Sequence, residues 1–576
     1  MRRTRSAADT LPGSTFVGLM LQDRDAIVVS DASTLGSPYR QNAEEEAMKI
    51  TSIRVSRACL QAAVLAALCG GLWGCNGDDN ESPAPFTVEK ATCGPNDRPE
   101  TALQGQVPAS MRAAGFQGFS CNLQLIGQGR GDGANWQTTQ FKDKAGHRCA
   151  YHGTSFATAN RSKLGVPVLD ITNPASPTPT TYLQTTSMLD PWESLKVNER
   201  RQILAADNGH NGGGGPELDI YDVSADCRSP QLLSTLVVGP GSNNAPLPGQ
   251  VGHEGAWAPD GLTYYIGDTR LVKYYAVDTS DLTKPSIISV FDPTQFGLRT
   301  HGLSISDDGN RAYFVSPGAP TNLGDLPNST TNNGFMIVDT SEVQARKPNP
   351  QMKLITAVAI KEGSTAQHTI PVKIKGKPYI IHVDEGGAGG LSLDPTTHTA
   401  NARTACAAGL SPFPMAHIID ISDELHPQIV SRARLETHDP KNCDKVLPDI
   451  TGLSVFTYGS HYCSVDNRQN ATTLACGYFN SGIRVFDIRD PERIKEIAYY
   501  NPAGTTTQSP GSNHIGPLVP NNWVAGGPDW CSAQVHLDTA SGTLWTTCQD
   551  NGVLMLKFTN NVWPFPESST PAGQQN

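Results

Sequence analysis

The chain has 576 residues, a formal net charge of −11 and a pI near 5.7. That acidic balance argues against a nucleic-acid partner, which would call for a basic face. Hydrophobic residues make up 38%, and 55 glycines and 42 prolines punctuate the sequence, which suits many short strands joined by turns.

Residues 1–47 show no hydrophobic period and carry the acidic run Glu44-Glu45-Glu46. They are read as disordered, or as lying before the true start of the protein. At Met48 a fresh start is legible. Lys49, Arg54 and Arg57 form a basic leader, Ala58 to Trp73 is uncharged and rich in Ala and Leu, and Leu72-Trp73-Gly74-Cys75 follows. This is the plan of a secretion signal over 48–75 that ends in a lipobox, with Cys75 as the lipidated residue. The apolar run is shorter than the ~20 residues that a membrane-spanning helix needs. Trp73 stands where a small residue is usual, so plain signal cleavage is the alternative. Attached acyl chains, if more than one, hold a protein firmly to a bilayer. Asn76 lacks the aspartate that retains a lipoprotein at an inner membrane, so the expected address is the cell envelope: outer membrane, periplasm or cell surface. Residues 76–99 are polar and rich in Asp, Ser and Pro, as a tether is.

From 100 to 562 one phrase recurs: a strand of alternating character, then Asp, then a turn. It is clearest at Gly482-Ile483-Arg484-Val485-Phe486-Asp487-Ile488-Arg489-Asp490-Pro491, and its marker aspartates are Asp170, Asp222, Asp278, Asp339, Asp420 and Asp487; a worn copy puts Lys557 in that place. Units of about 50 to 80 residues, each of about four strands, are the signature of radially stacked sheets. The expectation is an all-β chain: a seven-bladed β-propeller of four-stranded antiparallel blades. Asn122 to Gln128 resembles a fourth strand but precedes the first complete blade. It is expected to pair with Val553 to Phe558 and close the ring, which hides two edges. Residues 563–576 read as a disordered tail. Recurrence of the aspartates at a turn favours a structural role for them, accepting backbone N–H groups of that turn.

The repeat phrase resembles the LVIVD repeat of bacterial β-propeller proteins, on the Phe479 to Asp487 run and on Glu100 to Pro108. That resemblance spans most of the chain and implies a fold. It implies no activity, since the family is defined by its repeats and a fold hosts many functions.

Removing Cys59, Cys69 and Cys75 from the 13 cysteines leaves ten, an even number for an oxidising compartment. Cys463 with Cys476, and Cys531 with Cys548, fall at matching places in consecutive units and are candidate cross-strand disulfides; Cys443 could compete for Cys463, and buried free thiols are the other reading.

Long insertions fall after second strands (Asp207 to Gly215, Ser316 to Gly334, Glu385 to Pro414) or between blades (Gly239 to Val251, Glu436 to Ser460, Asn501 to Gly527). In a propeller both kinds of connector emerge on one face, which is where binding residues are expected. His253, His301, His368 and His461 each stand at the entry of a first strand, so four imidazoles are expected to meet at the channel mouth, with Trp192 filling that slot in the second blade. Converging imidazoles suit copper or zinc; the alternative is that they bind water and backbone. Two functions follow: an envelope-anchored binding or scaffolding module that captures a protein or small ligand on its loop-rich face, or a metal-dependent redox or hydrolytic enzyme.

Overall fold

Each marker strand ends where its aspartate folds back onto the turn. In the computed structural model of the protein, Asp170 Oδ1 accepts the N–H of Thr172 at 2.9 Å. Asp222 with Ser224, Asp278 with Ser280, Asp339 with Ser341, Asp420 with Ser422 and Asp487 with Arg489 repeat the bond at 2.7–3.0 Å. The aspartates are turn-formers, as their recurrence predicts.

The structure describes residues 86–154, 163–209, 217–237, 252–515 and 522–566, all within one unit, Glu81–Asn576. The expected leader over 48–75, Cys75 and the start over 1–47 lie outside them. Seven antiparallel sheets form a seven-bladed β-propeller. The innermost strands of blades one to seven are Thr138–Lys142, Lys196–Asn198, Glu254–Trp257, Leu303–Ile305, Gly363–Ile374, Cys463–Val465 and His536–Asp538. In every blade the fourth strand carries one extra residue against the marker strand: Thr180, Leu233, Ile288, Ile355, Val430, Ile497 and, in the seventh, Ile126. Such bulges increase the local twist.

Ring closure follows the sequence expectation. Leu123–Gly129 pairs antiparallel with Gly552–Phe558 and so becomes the fourth strand of blade seven. Blade six departs from four strands, because Phe119–Cys121 adds a fifth beyond Lys495–Asn501. From Phe86 onward the stretch expected to belong to a tether over 76–99 is held to the propeller. Val88 is buried and donates its N–H to Arg434 O at 2.9 Å, and Cys93 is bonded to Cys121. Trp563, expected to open a disordered tail, is instead buried and donates Nε1–H to Thr473 Oγ1 at 2.7 Å.

The core lies between blades. Tyr274 of blade three stacks on Phe314 of blade four with ring centroids 3.9 Å apart, and its hydroxyl donates to Val315 O at 2.6 Å. A tyrosine is tolerated there because its one polar atom finds a partner. All ten cysteines from Cys93 onward are paired: Cys93–Cys121, Cys149–Cys227, Cys406–Cys443, Cys463–Cys476 and Cys531–Cys548. Both expected cross-strand pairs are present, and Cys443 takes Cys406 rather than Cys463.

Two of the long connectors carry helices. Helix α1 (Pro395–Ala407) starts where Asp394 accepts the Thr397 N–H at 2.8 Å. Helix α2 (Cys443–Ile450) is tied to it by the Cys406–Cys443 disulfide. Ala402, Val446, Leu447 and Ile450 pack into one cluster with Phe413 and Tyr458. This brace fixes the loops that flank the channel mouth.

Candidate functional site

At the entry to the inner strand of blade two, Trp192 adopts φ 49°. This left-handed conformation is rare for a bulky residue. It hands the inward place to the next residue, so Glu193, not Trp192, occupies the slot in blade two. Glu193 donates its N–H to His253 O at 3.2 Å, which sets its side chain beside the histidines of blades three and four.

The site is a cluster of three imidazoles and two carboxylates. Glu193 Oε2 lies 3.1 Å from His253 Nε2 and 3.9 Å from His301 Nε2. Glu193 Oε1 lies 3.5 Å from His461 Nε2, which in turn lies 2.7 Å from Glu385 Oε1. Glu193 is 1% exposed and His461 1%. Backbone carbonyls orient two of the rings: His301 Nδ1 is 2.9 Å from Ala366 O and His461 Nδ1 is 2.8 Å from Ser532 O. A carbonyl can only accept, so each Nδ1 carries the hydrogen.

Charge follows from these contacts. Burial would push Glu193 up, but the imidazoles of His253, His461 and His301 outweigh it and hold its carboxyl well below the usual range. Burial disfavours the charged form of His461, yet Glu193 and Glu385 raise it to about 9. His301 is lowered by burial and by neighbouring His253. Within this cluster two triads have mutual spacings that could hold a metal ion, Glu193 with His253 and His301, and Glu193 with Glu385 and His461.

Above this floor sits a pocket of about 330 Å³. Its walls are Trp136, Trp192, Leu391, Leu393, Val455 and Phe456. Trp136 packs edge-on to Trp192 and to Phe456, with centroids 5.8 and 6.0 Å apart, and lies 4.9 Å from His461. Three lining residues, Trp192, Thr365 and Phe456, have φ of 49°, 51° and 59°. Backbone strain of this kind persists where surrounding structure enforces it, and functional sites are enriched in it.

Of the four expected histidines, the structure brings His253, His301 and His461 together. His368 lies elsewhere: its Nε2 accepts the Cys463 N–H at 3.3 Å and its ring stacks on Tyr462 at 4.7 Å. It lines a separate cavity of about 270 Å³ with Lys196, Glu254 and Arg468. Burial, then His461 and Lys196, push it well below the ordinary imidazole range. The reason is local: Thr365 at φ 51° and a register shift between Ala366 and His368 turn the blade-five strand away. In the same cavity, burial raises Glu254 to about 8 against the pull of Lys196.

Glu193 and Glu385 are the site residues that sequence reasoning missed. Glu193 was shifted one place by a backbone twist that no pattern announces. Glu385 lies near the end of the second strand of blade five, Lys377–Gly387, in Asp384-Glu385-Gly386-Gly387, an acidic pair just before a long insertion. That is a usable signal.

No protein-family model and no curated protein matches the chain. Solved structures do resemble it. A provisional 6-phosphogluconolactonase of Bacteroides uniformis is 14% identical, with 71% of this chain and 91% of that one covered and a TM-score of 0.44. The β-propeller domain of Cps50 (Swd1) from Myceliophteria thermophila is 9% identical, covers 76% and 100%, and also scores 0.44. Sqt1 of Chaetomium thermophilum is 11% identical, covers 76% and 98%, and scores 0.39. Likenesses this distant carry nothing about function.

Proposed function

We propose that this protein is an exported, lipid-anchored β-propeller of the LVIVD-repeat kind that captures a small molecule at its channel mouth. One observation carries the reading: a single pocket joins apolar aromatic walls to a buried charged floor. Its volume of about 330 Å³ falls within the range of small-ligand sites, which pair mostly apolar walls with a few placed polar groups. The ligand it suits has a flat apolar body that lies against Trp136, Trp192 and Phe456 and one polar end that reaches Glu193 and its histidines. Leu393, 61% exposed, gives the rim an apolar contact for an entering ligand.

Export is supported by the Met48 leader and by five disulfides, which persist in oxidising compartments. Anchoring rests on Cys75: radiolabelled palmitate should enter the wild-type chain and not a Cys75→Ala variant.

Ligand capture is tested by tryptophan fluorescence against a panel of flat aromatic compounds bearing an amine, carboxylate, thiol or hydroxyl. Saturable quenching is expected, weakened at least tenfold in Trp192→Ala and in Phe456→Ala. Absence of any saturable response across the panel, with a co-purifying protein bound on the same face, would replace the small ligand by a protein partner. The enzyme reading is favoured by the acid–imidazole floor and requires a metal there.

A further inference from the structure

We propose that Glu193, His253 and His301 bind one divalent first-row transition-metal ion, zinc or copper, at the floor of the channel-mouth pocket. The three ligand atoms all lie within 4.8 Å of one another. A tetrahedral ion with bonds of about 2.0–2.1 Å sets its donors about 3.4 Å apart. Glu193 Oε2 is 3.1 Å from His253 Nε2 and 3.9 Å from His301 Nε2, which brackets that spacing.

Direction is more telling than distance. Although 3.1 Å apart, Glu193 Oε2 and His253 Nε2 are both buried and neither makes an aligned hydrogen bond. Two polar atoms that approach without aiming at each other are placed to share a third point. A carboxylate oxygen this deeply buried without an aligned hydrogen bond is costly, and a cation at that point removes the cost. His301 is prepared as a ligand, because its Nδ1–H donates to Ala366 O at 2.9 Å and leaves the Nε2 lone pair toward Glu193. A backbone acceptor behind a ligating histidine is the usual way its tautomer and orientation are set.

His461 and Glu385 complete the surroundings without binding the ion. His461 contacts the other oxygen of Glu193 at 3.5 Å and is held by Glu385 at 2.7 Å, so it positions the carboxylate. Two imidazoles with one carboxylate form a borderline donor set, better matched to zinc or copper than to calcium, which takes six to eight oxygens. Three protein ligands leave coordination positions open. The pocket above them is lined by His253, His301 and Glu193 themselves, so the polar end of a captured molecule could take an open position.

The proposal shares its pocket with the capture reading but does not depend on it. The test uses the full exported chain, stripped with a chelator, dialysed and titrated with Zn²⁺ against a chromophoric competitor, then loaded with Cu²⁺ for electron paramagnetic resonance. One equivalent is expected, with nitrogen superhyperfine structure from two imidazoles. His301→Ala and Glu193→Gln should each weaken Zn²⁺ at least 100-fold, while His368→Ala leaves it unchanged. If a variant does not fold, the wild-type copper spectrum still decides the donor set. Absence of stoichiometric uptake, uptake of two equivalents, a nitrogen count other than two, or displacement of Zn²⁺ by millimolar Ca²⁺ would each overturn the site. Ligand-dependent quenching in a protein that takes up no metal would sink the metal site alone; metal uptake without quenching would sink the capture reading alone.

Discussion

His461 Nε2 lies 2.7 Å from Glu385 Oε1, joining the entry of blade six to the second strand of blade five across the channel mouth. The opposite ring nitrogen faces the Ser532 carbonyl. Both nitrogens therefore meet acceptors, and the ring is held as an imidazolium between two buried carboxylates. Removing one partner of a buried charge set leaves the others uncompensated, at about 3–5 kcal/mol. His461→Ala should lose that much stability in metal-free protein, because Glu193 and Glu385 are left without their cation. Glu385→Gln, which keeps an acceptor oxygen, should lose about half as much or less. Urea denaturation of both variants, with unchanged m-values, measures it.

A second ion-pair set predicts the response to acid. Glu362 accepts from Arg432 Nε at 2.6 Å and is also bonded to Arg434. Burial pushes its carboxyl up, but His417, Arg432 and Arg434 together bring it to about 2. The folded value lies below the ordinary value of 4.5, so the stabilisation is fully present above that pH and is lost as pH falls through about 2. Glu362→Gln should cost on the order of 2–3 kcal/mol at pH 7. The gap between variant and wild type should narrow below pH 4.5 and close near pH 2. Thermal or urea unfolding at a series of pH values checks it, and a pH-independent gap would contradict it.

Disulfides should differ in value with the loop each closes. Cys149–Cys227 spans 78 residues and Cys463–Cys476 only 13. Restricting the unfolded chain favours the longer loop, at about 4.5 against about 3 kcal/mol. Paired Cys→Ser variants of each, compared by chemical denaturation without reductant, should rank in that order.

Closure of the ring predicts a stability effect far from the site. Leu123, 2% exposed, packs with Leu556 and Phe558 at the start of the closing strand. Leu123→Ala should cost about 2–5 kcal/mol, as deletion of a buried leucine generally does. Deleting residues 115–130 removes that strand and exposes the edge of Gly552–Phe558, so cooperative unfolding should disappear from calorimetry.

How much of this was legible beforehand differs between frame and site. Periodic aspartates and alternating strands announce the blades, because a turn needs the same side chain wherever it recurs and a half-buried strand must alternate. The closing strand was visible for the same reason. The packed segment from Phe86 and the buried Trp563 were not, since neither carries the repeat's strand pattern and both owe their order to distant partners, Arg434 and Thr473.

The sequence by itself determined a β-propeller and two of its disulfides, since these depend on local pattern and on spacing along the chain. The same strand-entry pattern brought His253, His301 and His461 to the channel mouth, and tertiary structure decided the rest of the site. A left-handed Trp192 brought Glu193 inward, a register shift in blade five sent His368 to a different cavity, and the packing of blade five's second strand beside blade six set Glu385 against His461. Which side chains converge depends on single backbone angles in residues far apart in sequence, and no local pattern encodes those angles.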